Sequence, residues 1–330
     1  RAAVMTQFEE LAGILEEFSG QMEQALDVTM TWEGELKTAL RKRRIDVEGL
    51  LVLQYGQGRR EVFMTARMTN GRCMTARDAS EAIAKVMKGS FSAARDGKAI
   101  ITRNPASFRF IEDGRYRILF GSSRVPRDGE EVSGDSYTFK SGLPGQAILS
   151  LSDGMGSGQA ASEDSEKVME LTEQLLGTGF SARSALKLVN TVLLLTGQND
   201  RPATLDLCLV DLYSGVAEAM KLGAVASFIM GRDGVEVLES EHVPAGVMNP
   251  VEPVMISKKL WDGDRIVMVS DGILDAMPGA EKEAAFTDFL AGLPAAGPQE
   301  TAEMIMAFAL SFDGEPRDDM TVLVGGIYGR

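Results

Sequence analysis

The sequence predicts an α+β protein in which helices cover antiparallel sheets. From residue 116 onward, short apolar runs alternate with tight turns at 213–215 and 231–234, which is typical of antiparallel hairpins. Two helical patterns, 162–176 and 181–195, interrupt these runs, and strands on both sides of a helical pair indicate a layered domain. We predict strands at 117–122, 147–152, 205–212, 216–222, 226–230, 265–270 and 321–327, and a last helix at 299–310.

The beginning of the chain predicts a long regulatory helix over residues 1–44. Between Phe8 and Ala39, apolar side chains recur at alternating spacings of three and four, with Thr29 as an imperfection, and residues 5–40 contain no proline. A heptad pattern of this length favours pairing with another helix, for example in a homodimer. The alternative is a single helix that packs on its own domain.

A small α/β module is predicted over residues 45–112. Residues 49–53 and 61–64 have the pattern of two strands joined by a glycine-containing turn. Asp78–Glu81 has the form of a capping box, which would open a helix from Glu81 to Lys88. This segment contains no cluster of catalytic residue types, so we expect a regulatory or docking role. The remaining residues, 113–330, form the predicted catalytic domain.

Composition excludes several classes of site and partner. The 330 residues include 34 basic and 48 acidic side chains, and a net charge of −14 disfavours nucleic acid as a partner. A single histidine, His242, and two cysteines, Cys73 and Cys208, exclude histidine-rich and four-cysteine zinc sites. So few cysteines fit a reducing compartment, and we expect a cytoplasmic protein. No apolar run approaches the roughly 18 residues needed to span a bilayer, so any membrane tether would lie outside this chain.

Aspartates at the ends of predicted strands form the most informative pattern. Several carboxylates that meet at one point repel each other unless a cation compensates their charge. Oxygen ligands of this kind suit Mg2+ or Mn2+. One Asp-Gly pair alone would indicate only a turn, but its recurrence at strand edges of one domain favours a metal site. The pattern comprises Asp153-Gly154 and Asp271-Gly272 after strands, Asp318-Asp319 before the last strand, and Asp135 after the first strand.

A carboxylate-held pair of metal ions indicates phosphoryl chemistry. Two cations lower the pKa of a bridging water and stabilise an in-line displacement, so metal-bound hydroxide can replace a histidine base. Hydrolysis of a phosphate monoester is among the slowest uncatalysed reactions and needs such charge compensation. The glycine-rich stretch 154–161 also allows a dinucleotide site, but Asp153 beside it would repel a pyrophosphate.

Four motifs, in this order, resemble the metal-dependent protein phosphatases of the protein phosphatase 2C superfamily, and more closely the bacterial stage II sporulation protein E family. They are Ser133–Ser136, Ser152–Gly158, Val269–Gly272 and Arg317–Thr321. The resemblance implies an α-β-β-α sandwich of two antiparallel sheets flanked by helices, with a site for two Mn2+ or Mg2+ ions. It also implies that Asp153 bridges the ions, that the carbonyl of Gly154 binds one, that Asp271 and Asp318 bind the other, and that Asp135 acts through water.

The resemblance implies phosphoserine hydrolysis on an anti-anti-sigma factor, a small STAS-domain protein that then activates a sporulation sigma factor. Two alternatives stay open: a stress-response phosphatase that acts on another anti-anti-sigma factor, and a signalling scaffold with a weak site. The sequence departs from the eukaryotic branch at two places. Met155 replaces a histidine, and Glu130 replaces a phosphate-binding arginine, for which Arg124 or Arg127 is a candidate substitute.

Overall fold

The described part of the chain divides into two compact units. The computed structural model describes residues 25–55, 58–94, 97–143, 145–196, 203–239, 244–245, 247 and 253–330. One unit ends at Arg115, and the other comprises Tyr116–Arg330. Both combine helices with antiparallel sheets, so the combination of helices and sheets in the predicted α+β class is confirmed. The finer division at residues 44 and 112 stays a prediction. No described helix is long and apolar enough to span a membrane.

The smaller unit contains a five-stranded antiparallel sheet, a two-stranded antiparallel sheet and two helices, so it has more strands than the two we predicted. Leu36 and Leu40 of its first helix are fully buried together with Val62 of the sheet and Ile83 of the second helix. The elements are β1 (Leu26–Asp27), α1 (Thr29–Lys42), β2 (Ile45–Gln54), β3 (Arg60–Met68), β4 (Met74–Thr75), α2 (Ala76–Met87), β5 (Phe91–Ala93), β6 (Ile100–Ile101) and β7 (Ala106–Glu112).

The prediction of one continuous helix over residues 5–40 is wrong in its described part. Leu26–Asp27 is extended and pairs with β2, and α1 begins only at Thr29. The hydroxyl of Thr29 accepts a hydrogen bond from the backbone N–H of Val52 (2.8 Å). Strand pairing therefore overrides the heptad pattern, and the imperfect heptad position marks the start of α1. The heptad positions before residue 25 lie outside the described residues.

The second helix has a different cap from the one we predicted. The N-cap is Thr75, whose hydroxyl accepts from the N–H of Asp78 at 3.1 Å, and the carboxylate of Asp78 accepts from the N–H of Thr75 at 3.3 Å. Asp78 is thus the fourth residue of the capping box and not its first. The helix ends at Met87, one residue before the predicted end, and Lys88 takes the left-handed conformation with φ of 51° that we expected of the glycine after it.

The larger unit contains two five-stranded antiparallel sheets. The first has the order β15-β12-β11-β10-β9, and the second has the order β14-β13-β16-β17-β8. The strands are β8 (Tyr116–Val125), β9 (Asp135–Ser141), β10 (Gln146–Asp153), β11 (Leu205–Asp211), β12 (Val216–Leu222), β13 (Ser227–Gly231), β14 (Gly234–Leu238), β15 (Met255–Lys259), β16 (Arg265–Val269) and β17 (Met320–Gly329).

The helices of this unit fall into two groups. Val168 and Leu186 of the first group are buried against Leu207 of the first sheet. Ile273 and Ile305 of the second group are buried with residues of the second sheet. A third cluster consists of buried side chains from strands of both sheets. It includes Leu149 of β10 and Leu323 of β17. The helices are α3 (Gly158–Gly177), α4 (Ala182–Thr196), α5 (Asp271–Asp275), α6 (Lys282–Ala291) and α7 (Pro298–Asp313).

Each predicted strand and helix of the larger unit is present within a few residues of its predicted bounds. The sequence patterns missed β9, β14, β15, α5 and α6. Strands β9, β14 and β15 are edge strands, and edge strands with one or more exposed faces carry a weak apolar signal. Helix α5 begins at Asp271 directly after β16, so the expected sharp turn at this point is a helix start.

Candidate metal centre

Two of the predicted site residues lie opposite each other in the first sheet. Asp153 at the end of β10 is the register partner of Asp135 at the beginning of β9. Asp135 is completely buried and Asp153 is half-buried. Like charges directly opposite on neighbouring strands destabilise a sheet, so this pair calls for a compensating charge.

The backbone around Asp153 is held by the residues that lead into β11. The N–H of Asp153 donates to the hydroxyl of Thr204 at 3.0 Å, and the N–H of Thr204 donates to the carbonyl of Asp153 at 2.8 Å. The hydroxyl of Ser152 also donates to the carbonyl of Thr204 at 2.7 Å. These three bonds fix the end of β10. The sequence contained no signal for Thr204 beyond its place just before a strand.

Gly154 and Gly272 are required for close packing of the backbone. A Cβ at Gly154 would lie 2.1 Å from the carbonyl oxygen of Ala161 in α3. A Cβ at Gly272 would lie 2.2 Å from the carbonyl oxygen of Asp319. Both glycines have ordinary backbone conformations, so the sharp turn predicted at each Asp-Gly is replaced by a close approach of two segments.

The other two predicted residues come from the second sheet. Asp271 follows β16 and stands in the first turn of α5, where the helix dipole favours a carboxylate. Asp318 precedes β17, the neighbour of β16, and its Oδ1 accepts from the N–H of Asp319 at 2.9 Å. After burial and the charge of Asp135, the charges of Asp271 and Asp318 act on Asp153 from the other sheet and raise its pKa further. The structure therefore brings the aspartates of the two sheets together.

The four carboxylates interact strongly. Burial is the main cause that raises the pKa of Asp153 to about 9, and the charges of Asp135, Asp271 and Asp318 add to it. Burial also raises the pKa of Asp271, and the charge of Asp318 adds to this rise. With a pKa of about 9, Asp153 holds a proton near neutral pH unless a cation replaces that proton.

Asp135 has the strongest need for a partner. Burial raises its pKa to about 6, although the hydroxyls of Thr321 and Ser270 lower it in part. Both of its carboxylate oxygens are buried without a regular hydrogen bond. An unsatisfied buried carboxylate is costly, and a divalent cation or its bound water is a partner that fits an oxygen-only donor set.

The residues thus fit divalent cations by their chemistry and their charge. Among the described residues, however, no group of three or more histidine, cysteine, aspartate or glutamate side chains is already close enough to hold one ion. Carboxylates that repel each other are expected to stay apart until a bound cation compensates their charge. We therefore take Asp135, Asp153, Asp271 and Asp318 as a candidate metal centre, with Gly154 beside them.

Asp319 has a role that the sequence pattern did not indicate. It is buried, and its two oxygens accept hydrogen bonds from the backbone N–H groups of Arg127 (2.9 Å) and Gly134 (2.8 Å). It therefore anchors the segment before Asp135 to the segment that carries Asp318. The pair Asp318-Asp319 was the only sequence signal for this role. Asp318 belongs to the candidate site, whereas Asp319 accepts hydrogen bonds from the backbone.

The residues at the departures from the eukaryotic pattern surround this centre. Met155 is 55% exposed beside Gly154. Glu130 accepts from the hydroxyl of Ser157 at 3.3 Å. Arg124 donates from its guanidinium to the carbonyl of Asp135 at 3.3 Å, which places a cationic group next to the candidate centre.

The dinucleotide alternative does not fit the observed topology. Strand β10, which precedes the glycine-rich stretch, pairs with both β9 and β11 in antiparallel fashion. A dinucleotide-binding fold needs parallel strands on either side of a crossover.

Comparison with known proteins places the chain in a family. The model of the family Stage II sporulation protein E (SpoIIE) matches residues 144–327. Stage II sporulation protein E of Bacillus subtilis (strain 168) is 26% identical over 321 residues, which are 96% of this chain and 39% of that protein. The chain therefore spans about two fifths of the length of this curated relative.

Solved structures of SpoIIE from Bacillus subtilis are similar to the chain. A structure of its PP2C phosphatase domain with a fragment of its regulatory domain covers 100% of this chain and 96% of its own, with a TM-score of 0.73 and 24% identity. A structure of the phosphatase domain alone covers 66% of this chain and 95% of its own, with a TM-score of 0.55 and 30% identity. The chain belongs to the stage II sporulation protein E family, and it has the fold of a protein phosphatase 2C domain.

Proposed function

We propose that this chain is a metal-dependent serine phosphatase that removes phosphate from an anti-anti-sigma factor of the STAS type and thereby activates a sporulation sigma factor. The observation that carries this proposal is the meeting of Asp135, Asp153, Asp271 and Asp318 from two sheets, where burial and neighbouring carboxylates raise the pKa values of Asp135, Asp153 and Asp271. Such a site is suited to cations that stabilise the charge of a phosphoryl group.

We propose that the site holds two Mn2+ or Mg2+ ions. Asp153 would contact both, with the carbonyl of Gly154 on one side and Asp271 and Asp318 on the other, while Asp135 would act through water. When bound, the ions supply an activated water and compensate the charge of the phosphate. The chain itself orients this set through Thr204 and excludes solvent around Asp135.

Phosphate recognition needs a cationic group, and Arg124 is better placed than Arg127 to provide it. The guanidinium of Arg124 lies at the carbonyl of Asp135, whereas the described contact of Arg127 is a backbone N–H bond to Asp319. No histidine lies in the described site, so the leaving serine oxygen would take its proton from water. Grooves of about 460 Å3 next to Asp271 and about 320 Å3 next to Asp318 leave room for the protein substrate.

The architecture that we propose for the domain is an α-β-β-α sandwich, supported by the buried cluster shared by the two sheets and by the separate cluster between each sheet and its helices. We also propose that the domain acts on the cytoplasmic side of the membrane and that a tether to the membrane would come from outside this chain. We propose in addition that the chain forms a homodimer through its N-terminal segment. Light scattering of purified protein tests the dimer.

The decisive experiment measures phosphate release from a purified phosphoserine anti-anti-sigma factor with and without Mn2+. We expect release only with the metal, and we expect none from Asp153→Ala. Asp233→Asn, an exposed residue in the β13–β14 turn, is the matched control and should keep the activity. Release that continues in excess chelator would contradict the proposal.

The same assay separates the alternatives. Sporulation and stress-response anti-anti-sigma proteins, phosphorylated and compared side by side, should differ in kcat/KM in favour of the sporulation protein. A preference for the stress-response protein would favour the alternative in which this chain is a stress-response phosphatase. No release from either, with normal binding of the partner, would favour a scaffold.

A further inference from the structure

A buried network around Lys221 has no part in the proposed chemistry. Lys221 is fully buried, and its ammonium donates to Oδ2 of Asp206 (2.5 Å), to the hydroxyl of Ser227 (2.6 Å) and to the carbonyl of Val225 (2.9 Å). All three donors of the ammonium are therefore used. The hydroxyl of Ser227 also donates to Oδ2 of Asp206. A buried ion pair adds little stability over apolar packing, so its location in the fold is more informative than its strength.

The network connects the two sheets of the larger unit. Asp206 and Lys221 are register partners on β11 and β12 of the first sheet. Ser227 is the first residue of β13, which belongs to the second sheet, and Val225 lies in the connection between β12 and β13. The ammonium of Lys221 therefore bonds an acidic group of one sheet to a hydroxyl of the other.

This connection lies at the end of the sheets that carries the four aspartates. On the first sheet, Asp206 follows two residues after Thr204, which holds the backbone of Asp153 by two hydrogen bonds. On the second sheet, Phe228 pairs with Val267 in antiparallel register, so Ser227 lies beside the end of β16 that leads to Asp271.

We propose that Lys221, Asp206 and Ser227 are positioning residues that set the distance between the pair Asp135 and Asp153 and the pair Asp271 and Asp318. This inference rests on the proposed function only in assuming that these aspartates bind divalent cations. Such cations accept a narrow range of ligand distances, so a small shift of one sheet against the other weakens binding. Changes in groups that orient metal ligands typically reduce affinity by about 10- to 100-fold.

The test compares direct Mn2+ binding, measured by titration calorimetry, with thermal unfolding of the metal-free protein. The main variant combines Asp206→Leu with Lys221→Met, because joint removal of both charges leaves neither one buried alone. We expect at least about tenfold weaker Mn2+ binding with a melting temperature near that of the wild type. Ser227→Ala, a milder change, should weaken binding in the same direction.

Val210→Ala is the matched control, since Val210 is fully buried on the same strand but near its opposite end. It should lower the melting temperature and leave Mn2+ affinity unchanged. Wild-type affinity in both the double variant and Ser227→Ala would overturn the proposal, and if the double variant fails to fold, Ser227→Ala alone decides. Wild-type protein that binds Mn2+ but releases no phosphate would refute the proposed function while the positioning role is still decided by the binding data.

Discussion

The carboxylate of Asp319 accepts a hydrogen bond from the backbone N–H of Gly134 at 2.8 Å, across 185 residues of sequence. This bond joins the segment before Asp135 on the first sheet to the segment that carries Asp318 on the second. The other oxygen of Asp319 accepts from the N–H of Arg127. One buried side chain thus satisfies two backbone donors near the candidate metal centre, which makes it a good target for mutation.

Replacement of Asp319 by asparagine should affect both stability and metal binding. Asparagine has one acceptor oxygen where aspartate has two, so one backbone N–H of Arg127 or Gly134 loses its partner. We expect a loss of about 1–3 kcal/mol in the free energy of unfolding, and weaker Mn2+ binding, measured by denaturant titration and calorimetry. Asp288→Asn, on the exposed face of α6, is the control and should change neither quantity.

Asp153→Asn should abolish metal-dependent activity without unfolding the protein. The pKa of Asp153 is raised to about 9, so near neutral pH and without metal this carboxyl is already protonated, and a neutral amide of the same shape imitates it. We therefore expect the metal-free variant to melt at or above the wild-type temperature, while the rise in melting temperature that Mn2+ produces is lost. An unaltered Mn2+-induced shift would contradict the role of Asp153.

The stability of the metal-free protein should fall as the pH rises from the ordinary carboxyl pKa of 3.8 to about 9, and the contribution of Asp135 to this fall is complete by about pH 6. The pKa values of Asp135 and Asp153 are raised to about 6 and about 9 from the ordinary value of 3.8. The folded state therefore binds more protons than the unfolded chain in this interval, and the free energy of unfolding decreases with increasing pH.

Thermal unfolding from pH 5 to 9, in chelator and in saturating Mn2+, measures this effect. The cations replace the protons, so the dependence on pH should flatten when metal is present. The difference between wild type and Asp153→Asn isolates the contribution of the site. A melting temperature in chelator that stays constant or rises toward pH 9 would show that the carboxylates do not repel each other as described.

The contact between β8 and α7 predicts a strong effect of Gly121→Ala. A Cβ at Gly121 would lie 2.2 Å from the backbone nitrogen of Gln299, where helix α7 begins. Because the conflict is with backbone atoms, the helix must shift, and we expect a loss of about 1–3 kcal/mol in unfolding free energy. Gly177→Ala has open space around its Cβ and an ordinary backbone conformation, so this control should be neutral or slightly stabilising.

Part of the candidate site could be predicted from the sequence for a physical reason. A buried strand is easily recognised from its apolar run, and its end determines where the next side chain lies, so Asp153 and Asp271 could each be placed at the end of a strand from the sequence. The opposition of Asp135 and Asp153 could not, because β9 begins with a polar pattern and its register depends on pairing.

Other features escaped the sequence because they depend on contacts between distant segments. The helix start at Thr29 could not be read from the sequence, because the hydroxyl of Thr29 accepts a hydrogen bond from the N–H of Val52 in a distant segment. Gly154 and Gly272 look like turn residues in the sequence, yet the closeness of Ala161 and Asp319 explains them. Lys221 resembles a surface lysine in any composition-based analysis, and only the fold shows that it is buried.

The position of β17 determines when this site can form during protein synthesis. This strand lies between β16 and β8, although it is the last described strand of the chain and β8 is the first strand of its unit. The second sheet is therefore incomplete in a nascent chain until Met320–Gly329 has left the ribosome, and Asp318 emerges only shortly before it. The second-sheet part of the candidate metal centre, Asp271 and Asp318, can therefore be assembled only after β17 has paired between β16 and β8.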